Sequence, residues 1–219
     1  MSKVISFATQ KGGAGKTTLL MLTAAALHNR SSQKVLVIDS DPQLSVKNIY
    51  KQEGNSKSYD VFAFNWGQPT PEVNFDKVIT LAKRKYEIIL MDLPGNIKSE
   101  EFYYSILQSD ILMVPIVAST LDMNATMGFL HRIPDFNKEK GSPLEVFGVV
   151  NKREKTLEQK FIHELYHLEN LKLFDSEISY LVRYKRQIST VFDIVDPMIE
   201  DDEFNIYFKE FVEKCEISL

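Results

Sequence analysis

Five short apolar runs, each about the length of one buried strand, alternate with helical patterns over the first 151 residues. The runs are rich in Val, Ile and Leu, as in strands that are covered on both faces. They lie at residues 4–8, 34–39, 87–92, 110–115 and 145–151. Helical patterns occupy 17–29, 75–85, 99–108 and 121–133. Because a helical crossover makes consecutive strands parallel, this alternation predicts an α/β fold with a mostly parallel, doubly wound sheet flanked by helices.

The rest of the chain gives weaker patterns. Residues 54–71 are polar, with two prolines and the only tryptophan, which predicts a loop or small insertion. After residue 152 the pattern is mainly helical, with a helix at 156–169, a short strand around 174–178 and a closing helix from about 203 to 216. No linker or repeat interrupts the sequence, so residues 1–219 are predicted to form one domain, with 152–219 as its mainly helical C-terminal part.

Composition limits the function classes. Apolar residues make up 44% of the chain, enough for a real core, and the single cysteine, Cys215, allows no internal disulfide. No signal-peptide pattern and no run of about 18 apolar residues is present, so we expect a cytoplasmic protein with no membrane contact. The net charge is −4. Any binding of nucleic acid would therefore depend on a local basic patch rather than on the average field.

A glycine-rich loop follows the first strand and leads into the first helix. Its sequence, KGGAGKTT from Lys11 to Thr18, supplies the closely approaching backbone N–H groups and the helix N-terminus that a polyphosphate needs. Lys16 can reach the β- and γ-phosphates, and the Thr17 hydroxyl can bind Mg²⁺. The general phosphate-loop pattern has a glycine where this chain has Gln10. The alternative to a phosphate-binding loop is an ordinary glycine-rich turn between strand and helix. The candidate phosphate-binding residues are Lys11, Gly12, Gly13, Ala14, Gly15, Lys16, Thr17 and Thr18.

This loop, as QKGGAGKTT, resembles that of the ParA/MinD family of deviant Walker-A ATPases. The preceding Gln10 is more similar to the plasmid- and chromosome-partitioning branch than to the MinD branch. The resemblance covers residues 3–151 well. It implies the P-loop NTPase fold, with ATP and Mg²⁺ bound to each monomer. It also implies a face-to-face homodimer in which Lys11 crosses to the partner's nucleotide.

Two further segments resemble family motifs. The segment VLVIDSDPQ, residues 35–43, is similar to the second motif of the family. The resemblance implies that Asp41 orients or activates the attacking water and that Asp39 lies near the metal. The alternative for both is an Asx turn at the end of a strand. Asp92 ends an apolar run and resembles the Walker-B aspartate, which reaches the metal through water. Here the family often has DTPP and this chain has DLPG, so the loop after Asp92 departs from the pattern.

The resemblance also assigns Asn151, at the end of the fifth strand, to the adenine edge of the nucleotide; a simple turn asparagine is the alternative. The predicted catalytic residues are thus Lys11, Lys16 and Asp41. The predicted metal-site residues are Thr17, Asp39 and Asp92.

Two features lie in the last quarter of the chain. In partitioning ATPases a C-terminal basic surface binds DNA without sequence preference, and Arg183, Lys185 and Arg186 are the candidates for that role here. A solvated basic face or a contact to the neighbouring subunit is the alternative. The closing helix carries an apolar stripe of Phe204, Tyr207, Phe208, Phe211, Val212 and Cys215. Its polar side is acidic, which favours packing on the core over a MinD-type membrane-targeting helix.

The sequence therefore predicts a ParA-like partitioning ATPase. Its ATP-bound dimer would bind non-specific DNA on the nucleoid, and a ParB-like adaptor or activating partner would switch it off. The sequence does not decide whether the cargo is a plasmid, a chromosome or something else. A MinD-like membrane ATPase, a P-loop small-molecule kinase or ligase, and a positioner of protein cargo are the alternatives.

Overall fold

A parallel sheet forms the centre of the computed structural model, which describes residues 2–10, 12–52, 59–117, 120–153, 171–179 and 202–219. Seven strands occur in these ranges. They are β1 Lys3–Phe7, β2 Val35–Asp39, β3 Asp60–Ala63, β4 Ile88–Asp92, β5 Ile111–Ile116, β6 Glu145–Arg153 and β7 Lys172–Ser179. Their order is β3-β2-β4-β1-β5-β6-β7, and every pair is parallel. The chain extends the sheet to one side of β1 and then to the other, and ligands of open α/β sheets bind at such a switch point.

Helices cover both faces of this sheet. The described helices are α1 Lys16–Arg30, α2 Ser45–Gln52, α3 Pro71–Lys85, α4 Glu100–Leu107, α5 Thr120–Leu130, α6 Ile133–Lys140 and α7 Asp202–Lys214. Neighbouring residues of β1 point to opposite faces, so that Ile5 packs in the cluster under α1 and α7, and Val4 packs in the cluster under α3 and α4. Both faces being apolar explains the nearly continuous hydrophobic runs of the central strands.

The predicted α/β fold is confirmed. The sheet was expected to be mostly parallel, and every described strand pair is parallel. The prediction of a loop over 54–71 is wrong in part, because β3 lies within it. β3 is a four-residue strand at the edge of the sheet with alternating exposure, and Phe62 is 42% exposed, so it lacks the apolar run of the inner strands. The strand expected at 174–178 is longer, at Lys172–Ser179. The sequence analysis missed α2 and α6, and the helix predicted at 156–169 lies outside the described residues.

The apolar stripe of α7 packs in the core, as the acidic polar face indicated. Phe204, Tyr207 and Phe211 are fully buried, and the Tyr207 hydroxyl lies 2.9 Å from that of Thr23 on α1. Glu210 accepts hydrogen bonds from the amides of Asp175 and Ser176 on β7, at 2.7 and 2.9 Å. The helix thereby joins α1 to the edge strand. None of the helices within the described ranges is long and apolar enough to cross a membrane.

The end of α7 is also bound to the start of β1. The Lys3 ammonium donates to the carbonyl of Cys215 at 2.6 Å and forms an ion pair with Glu216 at 3.0 Å. A cation at this position stabilises the carbonyl end of a helix. Residues 3 and 216 are thus in contact at the amino end of the sheet.

Gly148, in β6, lies where the surrounding side chains leave no room for a larger residue. A methyl group at Gly148 would lie 2.6 Å from a methyl carbon of Leu173, 2.7 Å from one of Ile116 and 2.8 Å from one of Leu171. We expect Gly148→Ala to destabilise the protein by about 1–3 kcal/mol, since three apolar side chains must move at once. Denaturant unfolding followed by circular dichroism measures the change.

The control for this substitution is Gly128→Ala, in the last turn of α5, where an added methyl group meets no atom within 4 Å. That change should be neutral or stabilise the protein by up to about 1 kcal/mol through helix propensity. Equal stability of Gly148→Ala and the wild type would show that β6 is not packed as described.

Candidate functional site

The carboxyl ends of three adjacent strands meet at one place. β4 lies between β1 and β2, with Asp92 opposite Phe7 on one side and opposite Asp39 on the other. The glycine-rich loop follows β1 directly, and the segment with Asp39 and Asp41 ends β2. The sheet therefore brings together three motifs that are far apart in the sequence.

The loop after β1 has the backbone that its glycines predict. Gly13 and Gly15 have φ values of +83° and +87°, a conformation that L side chains rarely adopt. Methyl groups built at Gly12 and Gly13 would meet no atom within 4 Å. Gly15 is the N-cap residue of α1. Among the described residues no side chain forms a capping hydrogen bond there, and the first turn of the helix has no acidic residue. Such an open helix N-terminus with glycines in front of it suits an anion.

Lys16 is the buried cation of the site. Its side chain is 8% exposed, and its ammonium donates to Asp92 Oδ1 at 2.8 Å and to the carbonyl of Leu93. Asp41 Oδ2 lies 3.6 Å from the same ammonium. Thr17 donates to the other oxygen of Asp92, also at 2.8 Å. Lys16, Thr17, Asp41 and Asp92 are thus one connected group, and their roles toward phosphate and metal remain predictions.

Burial raises the pKa of Asp92, and the charge of Lys16 and the hydrogen bonds from Lys16 and Thr17 oppose that shift. Asp39 on the neighbouring strand is also fully buried. Its Oδ2 accepts a hydrogen bond from the Lys47 amide at 3.0 Å, while Oδ1 has no hydrogen-bond partner among the described residues. Burial, with the nearby charge of Asp92, raises the pKa of Asp39 to about 6. A buried carboxylate oxygen of this kind suits a cation or a bound water.

Asp41 forms the Asx turn that was one of its two interpretations, and its role in orienting water remains a prediction. Its Oδ1 accepts from the Gln43 amide at 3.0 Å, which is the Asx turn, while Oδ2 faces Lys16. The side chain is 15% exposed, against none for Asp39. Two carboxylates that are two residues apart therefore have different surroundings, and only Asp41 is accessible to water.

Asn151 contacts the glycine-rich loop. Its side-chain amide donates to the carbonyl of Ala14 at 2.7 Å, and the residue is 7% exposed. Asn151 lies within β6, two residues before its end, so it is not a turn asparagine, and its bond to the loop was not predicted. A contact to the adenine remains a prediction.

Four predicted site residues lie outside the described part of the chain: Lys11, Arg183, Lys185 and Arg186. Thr18 lies in the first turn of α1. Gln10 and the loop 95–98 line a cavity of about 490 Å³ beside the site. No group of three or more His, Cys, Asp or Glu occurs among the described residues in an arrangement that could hold a metal by itself. A magnesium site here would need phosphate and water ligands in addition, which is the usual case for Mg²⁺.

The sequence analysis missed two residues of the site. Ser40, between the two aspartates, donates through both its amide and its hydroxyl to the carbonyl of Asp92, at 3.1 and 2.8 Å. Trp66 donates its indole N–H to the carbonyl of Ser40 at 2.9 Å. Trp66 follows β3, a strand without a clear sequence pattern, so nothing in the sequence indicated that it lies near β2.

The raised pKa of Asp39 predicts a pH dependence of stability. An aspartate has a pKa of about 4 when unfolded, so the folded protein keeps a proton that the unfolded chain releases between about pH 4 and about 6. The stability that this group contributes is present below about pH 4 and is lost as the pH rises to about 6. Asp39→Asn keeps an acceptor for the Lys47 amide and removes the ionisation.

We therefore expect Asp39→Asn to match the wild type in unfolding free energy near pH 4 and to exceed it by about 2–3 kcal/mol at neutral pH. Denaturant unfolding across this range, without nucleotide or divalent metal, measures the difference. Asp135→Asn, at an exposed position of α6, is the control and should give no such pH-dependent gain. A difference for Asp39→Asn that does not change with pH would contradict the raised pKa.

Comparisons with known proteins show the family and the fold of the chain. The model of the CobQ/CobB/MinD/ParA nucleotide-binding domain matches residues 5–191. A curated relative, the maintenance of carboxysome distribution protein A of Halothiobacillus neapolitanus, is 24% identical over 134 residues. That alignment spans 61% of this chain and 59% of the relative, so less than two thirds of the relative's length is matched.

Three solved structures share the fold. A plasmid partition protein of Borrelia burgdorferi bound to AMPPNP has a TM-score of 0.74 at 18% identity, covering 98% of this chain and 100% of that one. The ATP complex of McdA from Cyanothece has a TM-score of 0.70 at 17% identity, with 100% and 98% covered. The cobyrinic acid a,c-diamide synthase of Mycobacterium smegmatis, with ADP and magnesium, has a TM-score of 0.70 at 16% identity, with 90% and 94% covered. At these identities the likeness concerns the fold alone.

Proposed function

Because the chain belongs to the CobQ/CobB/MinD/ParA family of nucleotide-binding domains, we propose that it is a ParA-type positioning ATPase that binds and hydrolyses Mg-ATP. The observation that carries the proposal is the buried Lys16 ammonium, placed between Asp92 at 2.8 Å and Asp41 at 3.6 Å at the N-terminus of α1. A buried cation beside an uncapped helix N-terminus favours a polyanion. The proposal agrees with the nucleotides in two of the solved relatives, AMPPNP and ATP.

The residues present fit ATP with magnesium. The backbone of Gly12 to Gly15 and the start of α1 would bind the phosphates, with Lys16 at the β- and γ-phosphates. Thr17 and Asp92, already joined by a hydrogen bond, would hold the metal with its water, and Oδ1 of Asp39, which has no partner within the described ranges, would accept from that water. Magnesium, when bound, would neutralise the charge that develops on the phosphates.

Hydrolysis at this site would depend on positioning and charge. Asp41, which is partly exposed and is fixed by its Asx turn, would orient a water for in-line attack. Lys16 would stabilise the negative charge on the phosphoryl oxygens. Lys11 from a second copy would add another positive charge, so that full activity requires the dimer.

The cycle would use ATP as a switch. The ATP-bound dimer would bind DNA through Arg183, Lys185 and Arg186 without sequence preference, and a partner protein would stimulate hydrolysis and release. The partner protein would determine which cargo is moved. A plasmid or chromosome is one class, in line with the Borrelia partition protein.

Positioning of a protein assembly is the second candidate. It is favoured by the curated relative, which maintains carboxysome distribution in its own organism. A MinD-like membrane role gains no support from α7, because the apolar residues that such a role would use are buried in the core.

Two substitutions separate binding from turnover. Lys16→Ala should abolish detectable nucleotide binding in calorimetry, because the buried cation for the phosphates is lost. Asp41→Ala should keep binding within several-fold and lower kcat by about 100-fold or more, since it removes the group that orients water and leaves Lys16 in place for the phosphates. Lys138→Ala, at an exposed position of α6, is the control for loss of a lysine. Turnover by Asp41→Ala at the wild-type rate would contradict the proposed role of that residue.

DNA binding is tested with ATP and salt. We expect retention of the protein on non-specific DNA only with Mg-ATP, falling steeply with salt because binding displaces counterions. Arg183→Ala/Arg186→Ala should weaken retention about tenfold or more and flatten the salt dependence. Lys83→Ala/Arg84→Ala, two exposed basic residues on α3, is the matched control. Equal retention with and without ATP would contradict the partitioning cycle.

A further inference from the structure

We infer that Trp66, the only tryptophan of the chain, is a positioning residue for Asp41, an inference that rests on the proposed ATPase function. The indole N–H of Trp66 donates to the carbonyl of Ser40 at 2.9 Å. That carbonyl and the amide of Asp41 belong to the same peptide group. Trp66 therefore controls the backbone from which the Asp41 side chain extends.

Ser40 is fixed from two directions. Its amide and hydroxyl both donate to the carbonyl of Asp92 on β4, at 3.1 and 2.8 Å. These bonds hold the amino side of the residue against the strand that carries the other carboxylate. The bond from Trp66 holds its carbonyl side. With only one of the two anchors, the peptide group between Ser40 and Asp41 could rotate.

The indole is itself held by aromatic rings. Phe64 lies edge-on to it at 4.7 Å between ring centroids, and Phe75 of α3 lies at 4.9 Å. Phe75 is fully buried, and the amide of Phe64 donates to the carbonyl of Asp39 at 2.9 Å. The indole of Trp66 thus packs against Phe64 and Phe75, and Phe64 is bonded to the end of β2. Aromatic pairs of this kind favour one ring orientation.

The position of Asp41 matters because its two oxygens have different partners. Oδ1 accepts from the Gln43 amide at 3.0 Å, and Oδ2 lies 3.6 Å from the Lys16 ammonium. A rotation of the peptide before Asp41 would displace both oxygens. A shift of about 1 Å in a group that orients a reactant can cost a large factor in rate. Binding of the phosphates, which does not use Asp41, would change little.

The test is the split between kcat and KM in Trp66→Phe. Phenylalanine keeps the aromatic contact to Phe64 and Phe75 and removes the N–H donor. We expect kcat per nucleotide-binding site to fall about three- to tenfold, with KM for ATP within about twofold of the wild type. A purely structural role would lower the fraction of folded protein and leave kcat per binding site unchanged.

The matched control is Tyr50→Phe. The Tyr50 hydroxyl also donates to a backbone carbonyl near β3, that of Tyr59. Its loss should leave kcat and KM within about twofold. Equal losses of kcat in Trp66→Phe and Tyr50→Phe, or a rise in KM alone, would overturn the positioning role.

Tryptophan emission gives a second readout in the unchanged protein. Binding of magnesium and a non-hydrolysable ATP analogue, verified by calorimetry, should shift the intensity or wavelength of Trp66 emission, because the indole's acceptor is next to Asp41. An unchanged spectrum at saturation, with unchanged kcat in Trp66→Phe, overturns the inference and leaves the proposed function standing. No binding of the analogue in calorimetry overturns the proposed function, and the positioning role with it.

Discussion

The contact between Lys16 and Asp92 is the interaction on which the site depends. It joins the start of α1 to the end of β4 at 2.8 Å, with Asp92 fully buried and Lys16 nearly so. A buried charge without its partner costs about 3–5 kcal/mol, so neither side chain can be removed without affecting the other. The contact exists because β1 and β4 are neighbours in register, which places the loop after one beside the last residue of the other.

The second motif adds two carboxylates to this pair and gives them separate environments. Asp39 is buried at the carboxyl end of β2, beside Asp92, and burial raises its pKa to about 6. Asp41 is two residues further and reaches solvent. Two similar groups with different surroundings can take different roles, one beside a metal and one beside a reacting water. The backbone of Ser40, bonded to β4 and to Trp66, keeps the two apart.

Much of this arrangement could be predicted from the sequence, and the reasons for success and failure are physical. The five inner strands and the glycine-rich loop have patterns that arise from burial on both faces and from the backbone that an anion requires. β3 was missed because an edge strand needs no apolar run, and with it the position of Trp66 was missed. The bond from Asn151 to Ala14 is a contact over 137 residues, which no local pattern encodes. Lys11 and the basic segment at 183–186, both assigned by resemblance, lie outside the described residues.

The contact between Lys3 and the end of α7 has a consequence for the connectivity of the chain. Residues 3 and 216 are bonded at the amino end of the sheet, while Lys16, Asp41 and Asp92 lie at its carboxyl end. A short peptide could therefore connect residue 216 to residue 3 without crossing the site, and the chain could be reopened in an exposed connection such as that between α6 and β6. The order in which the strands occur along the chain is then separable from the chemistry, which requires only their order in the sheet.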